Sequence, residues 1–232
     1  MIKLGKLTLN GTPRIAVGFN DRVPPQAILD VKDFGLDVVE LRIDQYSSFE
    51  VSHVLNEVKK FKNFPSIATI RSEKEGGDWN LSESKRLDLF KAVIPHVDAV
   101  DIELSSASIL KQVIKEAHAK KKLVVVSYHN FDSTPNFKTL NQIVYKAKAL
   151  KADIVKIATM TLSRKDIQTL AQVTLVNSEK NLVTIAMGAE GAISRIFFPA
   201  LGSLMTYAYL GKPMAPGQFD YKTTSDFLRM VY

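Results

Sequence analysis

The sequence has no cysteine. That excludes a disulfide scaffold, a thiol nucleophile and every zinc site built on thiolates. Proline and glycine are sparse, at 9 and 11 of 232 residues, so collagen-like, low-complexity and disordered readings fall away. Long apolar runs are also missing. The most apolar stretch, Ile196 to Leu210, is too short to span a bilayer and is broken by Pro199 and Gly202. The opening MIKLGKLTLNG has no apolar centre of signal-peptide length, so the chain reads as a soluble, cytoplasmic protein. Histidine is scarce: there are 4, with no metal-ligand spacing between any two. A metal site would have to rest on Asp101 and Glu103, and none is expected, because carboxylates near Lys and Arg usually pair with them. Trp79 is the only indole for base stacking, and lysines such as Lys120–Lys122 lie along helical patterns. The net charge of +7 therefore reads as solvated helix faces that favour an anionic small molecule, not as a nucleic-acid surface.

What the chain does have is alternation. Short β-branched runs recur at Arg14–Gly18, Val38–Ile43, Ser66–Arg71, Ala99–Leu104, Leu123–Tyr128, Asp153–Ile157, Leu182–Ala186 and Leu204–Tyr209. Amphipathic stretches of helical length separate or follow them: Pro25–Phe34, Phe49–Phe61, Ser82–Pro95, Ala107–Lys120, Thr139–Leu150, Arg164–Val176, a shorter Gly191–Phe198, and Thr224–Val231. Near-continuous apolar strands alternating with helices imply parallel pairing through right-handed crossovers. The pattern predicts a single-domain (β/α)8 TIM barrel over residues 1–232, with Lys3–Asn10 as a short β-hairpin closing the bottom. An open doubly wound sheet is the alternative, but VGFNDRVPP is not the Gly-rich turn it needs after its first strand.

Side chains alternate faces along a strand, so parity sorts the charges. Val39, Leu41 and Ile43 share one face, leaving Glu40, Arg42 and Asp44 on the other; likewise Asp101 and Glu103 oppose Val100, Ile102 and Leu104. Lys156 faces away from Val155 and Ile157, Arg71 ends the third strand, and His129 follows the fifth. Buried unpaired charges cost several kcal/mol each, so these groups must meet one another or a ligand. The place of Arg71, His129 and Lys156 at the C-terminal strand ends points to chemistry over a network of ion pairs that merely fills the interior. Lys156 near Arg42 and Arg71 is expected to have a depressed pKa, which populates the neutral amine that attacks carbonyls. His129 next door can move protons beside the resulting iminium. The constellation says imine-forming lyase or aldolase without choosing. Glu75, from sequence alone, reads as an exposed loop carboxylate, and the GAEGAISR turn as a possible phosphate site.

The motifs VELRID (39–44), TIRSEKEGGDW (69–79), VVVSYHNFDSTP (124–135), ADIVKIATM (152–160), AMGAEGAISR (186–195) and APGQ (215–218) resemble those of the type I 3-dehydroquinate dehydratases, in order and at the expected strands. The resemblance implies a shikimate-pathway barrel enzyme, commonly a homodimer, that dehydrates 3-dehydroquinate to 3-dehydroshikimate through an imine, with no metal or cofactor. By the same resemblance Lys156 is the imine lysine, His129 the proton-transfer group and Glu75 the carboxylate that orients it. Glu40, Arg42 and Arg71 bind ring hydroxyls, Arg195 and Gln218 grip the carboxylate, and Met187 packs over the site. Met214 stands where relatives often carry a serine, removing a hydroxyl from that grip. Gly211–Gln218 reads as a lid. The alternative is a class I aldolase-type barrel that shares Lys156 but takes a phosphorylated sugar.

Overall fold

The computed structural model describes residues 1–24, 26–27 and 35–232. A two-stranded antiparallel hairpin comes first, β1 Lys3–Leu4 and β2 Leu7–Thr8. Eight parallel strands follow: β3 Arg14–Phe19, β4 Val38–Arg42, β5 Ser66–Thr69, β6 Ala99–Glu103, β7 Leu123–Asn130, β8 Ile154–Met160, β9 Leu182–Met187 and β10 Met205–Ala208. They pair in the order β10-β3-β4-β5-β6-β7-β8-β9. Between β9 and β10 a single bridge, Leu182 to Ser203, replaces a ladder, and the Ser203 hydroxyl accepts the Thr184 N–H at 3.1 Å. The result is a nearly closed (β/α)8 barrel.

Parity along the strands builds two cores. Val39, Leu41, Val100, Ile102, Val155 and Ile157 face outward into the layer between sheet and helices. Ala16, Val38, Ile67, Ala99, Val125 and Ile154 face inward, and Leu4 and Leu9 join this inner cluster from the hairpin. The hairpin therefore closes the N-terminal end of the barrel with apolar side chains, as the sequence predicts.

The helices are α1 Val51–Lys59, α2 Glu83–Val93, α3 Leu110–Ala119, α4 Phe137–Ala149, α5 Arg164–Val176, α6 Ser194–Phe197 and α7 Tyr221–Val231. Their starts follow capping chemistry more closely than apolar periodicity does. Asn136 accepts the Thr139 N–H at 3.0 Å and Asp220 accepts that of Thr223 at 3.0 Å, so α4 and α7 begin earlier than the apolar pattern suggests. Proline explains two early ends: Pro95 turns the end of α2 into a 3-10 turn, and Pro199 does the same after α6. The helix predicted over Pro25–Phe34 lies, apart from Gln26 and Ala27, outside the described residues. Strand β7 continues through His129 and Asn130, and β8 to Met160, so both strands reach further into the mouth of the barrel. Among the described residues no helix is long and apolar enough to cross a membrane.

Candidate active site

One cavity at the C-terminal end of the barrel is lined by Glu40, Arg42, Arg71, Glu75, His129, Lys156, Met187, Arg195 and Gln218, together with Gly18, Tyr207 and Met214. All the candidate residues from the sequence thus come together, drawn from strands and loops far apart in the chain.

Lys156 enters from β8 and is buried. Its Nζ lies 3.1 Å from Glu40 Oε1 and 3.2 Å from Asp101 Oδ2. The expected depression of its pKa is not what this arrangement produces. Burial pushes the ammonium down, but the Glu40 and Asp101 carboxylates outweigh that and raise it above the ordinary lysine value. That depression would need Arg42 and Arg71 to be free cations. In the fold, Arg42 is tied to Asp44, with Nη2–Oδ2 at 2.7 Å, and Arg71 to Asp101 at 2.9 Å and Glu103 at 3.2 Å. Their charge is spent locally, and Lys156 rests as a paired ammonium.

Behind these groups runs a buried network. Arg71 donates to Ser127 Oγ at 2.6 Å, and Ser127 donates on to Asp101 at 2.6 Å. Glu103 Oε2 is held by Arg86 and by the Ser106 hydroxyl. Burial would raise the Asp101 carboxyl, yet Arg71 and Lys156 hold it well below the usual carboxylate range. Arg86 is fully buried on α2 and also donates to the Ile70 carbonyl at 2.8 Å. Sequence reasoning missed it, although it shares a helical stripe with Leu89, Phe90 and Val93, and a charge on an apolar stripe is a signal.

His129 Nδ1 lies 3.0 Å from Glu75 Oε2, and the His129 backbone N–H donates to the same oxygen at 2.8 Å. A carboxylate can only accept, so Nδ1 carries the hydrogen and Nε2 keeps its lone pair. Glu75 closes a 3-10 turn, Glu73–Glu75, started by the Ser72 cap, and is buried rather than exposed. The Ser105 hydroxyl donates to its other oxygen. Burial, reinforced by Arg71 and Lys156, holds the imidazole well below its ordinary 6.5. The ring is a neutral base.

Arg195 begins α6 from a buried position and is bonded only to carbonyls: Nε to Gly217 at 2.7 Å, Nη2 to Pro216 at 3.0 Å and Nη1 to Tyr207 at 3.1 Å. Among the described residues it has no carboxylate partner, and burial lowers its pKa to about 10. A desolvated cation among carbonyls has most to gain from an incoming anion. Gln218 Oε1 accepts from the Met214 and Ala215 N–H groups at 2.7 and 3.1 Å. Its oxygen thus folds the loop and its amide N–H group remains. The Met214 sulfur packs against Gly18, where a Cβ would meet it at 2.5 Å and would push the methionine side chain aside.

A protein-family model described as Type I 3-dehydroquinase matches residues 23–232. The chain belongs to this family. It is 35% identical over 222 residues to the 3-dehydroquinate dehydratase of Thermodesulfovibrio yellowstonii, covering 93% of this chain and 94% of that protein. It is 32% identical over 235 residues to that of Methanococcoides burtonii, covering all of both chains. The type I 3-dehydroquinate dehydratase of Clostridium difficile, solved with covalently modified comenic acid, superposes with a TM-score of 0.91 at 26% identity, over 99% of this chain and 96% of that one. Within a type I 3-dehydroquinase, the lysine, histidine and arginine of this cavity fall on the motifs by which the sequence resembles the family.

Proposed function

We propose that this chain dehydrates 3-dehydroquinate to 3-dehydroshikimate, in the shikimate pathway, through an imine on Lys156. The observation that carries the reading is one cavity holding a buried lysine, a neutral histidine whose Nε2 keeps its lone pair, and a guanidinium with no carboxylate partner among the described residues.

The substrate carboxylate pairs with Arg195, aided by the Gln218 amide, while Arg42 and Arg71 meet ring hydroxyls. Lys156 must first lose a proton. Asp101 is held as an anion by Arg71 and Ser127 as well as by Lys156, whereas among the described residues Glu40 accepts from Lys156 and from the Thr69 hydroxyl at 2.9 Å. Glu40 is therefore the first acceptor. The free amine adds to the C3 ketone, and Glu40 returns its proton to the carbinolamine oxygen, which leaves as water and gives an iminium. His129 Nε2 removes the C2 proton, leaving an enamine. The electron pair then expels the C1 hydroxyl, which departs as water with the proton His129 has just taken. Hydrolysis of the iminium returns Lys156 and releases product. One imidazole in both roles requires a syn elimination. Glu75 fixes the tautomer and steadies the imidazolium between the two transfers. Met187 and Met214 give the site apolar cover. The scheme uses no metal and no cofactor. We further infer one catalytic domain over residues 1–232, acting in the cytoplasm as a homodimer.

The test is turnover of 3-dehydroquinate, followed by ultraviolet absorbance of the conjugated enone product. The enzyme should be active after EDTA treatment, and Lys156→Ala should lose nearly all of that activity. Robust turnover by Lys156→Ala would sink the reading, as would an activity lost to EDTA and restored by a divalent ion.

A further inference from the structure

Tyr207 is the aromatic residue that β10 turns into the barrel. It is 5% exposed and belongs to the inner cluster. The Lys156 Nζ stands 4.2 Å from the centroid of its ring. The remaining neighbours of that nitrogen are charged: Glu40 from β4 and Asp101 from β6, with Arg71 beyond β5 and His129 on β7 acting on it at longer range. Tyr207 also reaches the other end of the site. No ladder joins β9 to β10, and the Tyr207 carbonyl accepts from Arg195 Nη1 at 3.1 Å. A single residue therefore touches the lysine nitrogen with its ring and the carboxylate-binding guanidinium with its backbone.

Once an imine forms, the charges around the nitrogen are rearranged. In the proposed reaction Glu40 takes the lysine proton and then meets substrate. The ring face changes neither charge nor place, and its quadrupole attracts any cation above it. An imine is an effective electron sink only while its nitrogen is protonated. We propose that Tyr207 is a positioning residue for the imine, its ring face holding the Lys156 nitrogen and keeping it cationic through the elimination. The inference rests on the imine reading of this site. The phenol stays neutral, since burial pushes it above the ordinary tyrosine value, and its oxygen also accepts from Lys156, so the ring and the hydroxyl both face the nitrogen.

The ring and the hydroxyl can be separated. Phenylalanine at 207 keeps the ring, and fluorinated phenylalanines drain its quadrupole with little change in shape. Leucine removes the ring. The readout is the pH dependence of cyanoborohydride trapping with 3-dehydroquinate, which reduces the iminium and not the neutral imine, quantified as adduct on Lys156 by mass spectrometry. The alkaline midpoint for Tyr207→Phe, which loses only the hydroxyl bond, should move less than that for Tyr207→Leu. Each added fluorine should move it to lower pH, and Tyr207→Leu should move it by about one unit, a tenfold change in the protonated fraction that suits a desolvated cation–π contact. A midpoint indifferent to fluorination would overturn the proposal, as would a Tyr207→Phe shift as large as that of Tyr207→Leu. Lack of any Lys156 adduct in the unmodified enzyme would overturn the imine reading and this inference with it, whereas an adduct with unmoved midpoints defeats this inference alone.

Discussion

Lys156 illustrates what position along a chain conceals. Its strand parity was legible, and so was its place in the barrel interior. Its charge state was not, because that depends on which of Glu40, Asp101, Arg42 and Arg71 close on one another across four strands. Glu75 is a second case: nothing local distinguishes it from a loop carboxylate until β7 brings the His129 ring and backbone N–H to one of its oxygens. Removing the base, His129→Ala, should cost at least ~10⁴-fold in kcat, the upper end of the usual ~10²–10⁴ range, since one group serves as both base and acid. Glu75→Gln should cost less, because it transfers no proton. Single-turnover rates with 3-dehydroquinate check both. The pH dependence follows in sign from the lowered histidine. A base that stays neutral below 6.5 keeps working there, so the acid limb of kcat/KM attributable to His129 should lie below pH 6.5. The same shift bears on stability. The unfolded chain binds the proton first, so the contribution of His129 is complete above 6.5 and is lost as pH falls towards the folded value. A His129 limb at or above 6.5 in the pH–rate profile would contradict a buried, neutral ring.

Among the elements, the strands and most helices were readable because apolar parity and period are local properties. The ends were less so, and Asn136, Asp220 and Pro95 account for several of the differences. The segment after β10 is where structure adds most. Arg195 does not stand apart from the Gly211–Gln218 segment that the sequence reads as a lid: its Nε and Nη2 hold the carbonyls of Gly217 and Pro216. Gly217 adopts φ +74°, and a Cβ there would lie 2.3 Å from the Gly188 carbonyl oxygen, so this segment docks on the loop after β9 through bare backbone. Arg195→Ala should accordingly raise KM and lower kcat as well, since it removes both the carboxylate grip and a lid anchor. Gln218→Ala should harm kcat by unfolding the turn at Met214 and Ala215, and Met214→Ser should be mild. Steady-state kinetics separate these, and hydrogen exchange at the amides of residues 211–218 should slow when product binds. Equal exchange with and without product would remove the lid from the account.

At the scale of the whole molecule, the barrel brings to one mouth residues that the sequence scatters from Glu40 to Gln218. Recognition of six ordered motifs located those residues. It did not find Arg86, Ser105 or Tyr207, whose partners in the site network lie on other elements and leave no local trace beyond a charge on an apolar stripe or an aromatic in a strand. The proposed homodimer predicts a light-scattering mass of about twice the 25.8 kDa of the chain; a monomer at working concentration would remove that part of the reading. The central claim is that this barrel works through a covalent imine on one buried lysine. Borohydride reduction in the presence of 3-dehydroquinate, followed by peptide mass mapping, tests it most directly. The account predicts a ligand-derived adduct on the peptide carrying Lys156, at that residue alone; no adduct, or one on another lysine, would contradict it.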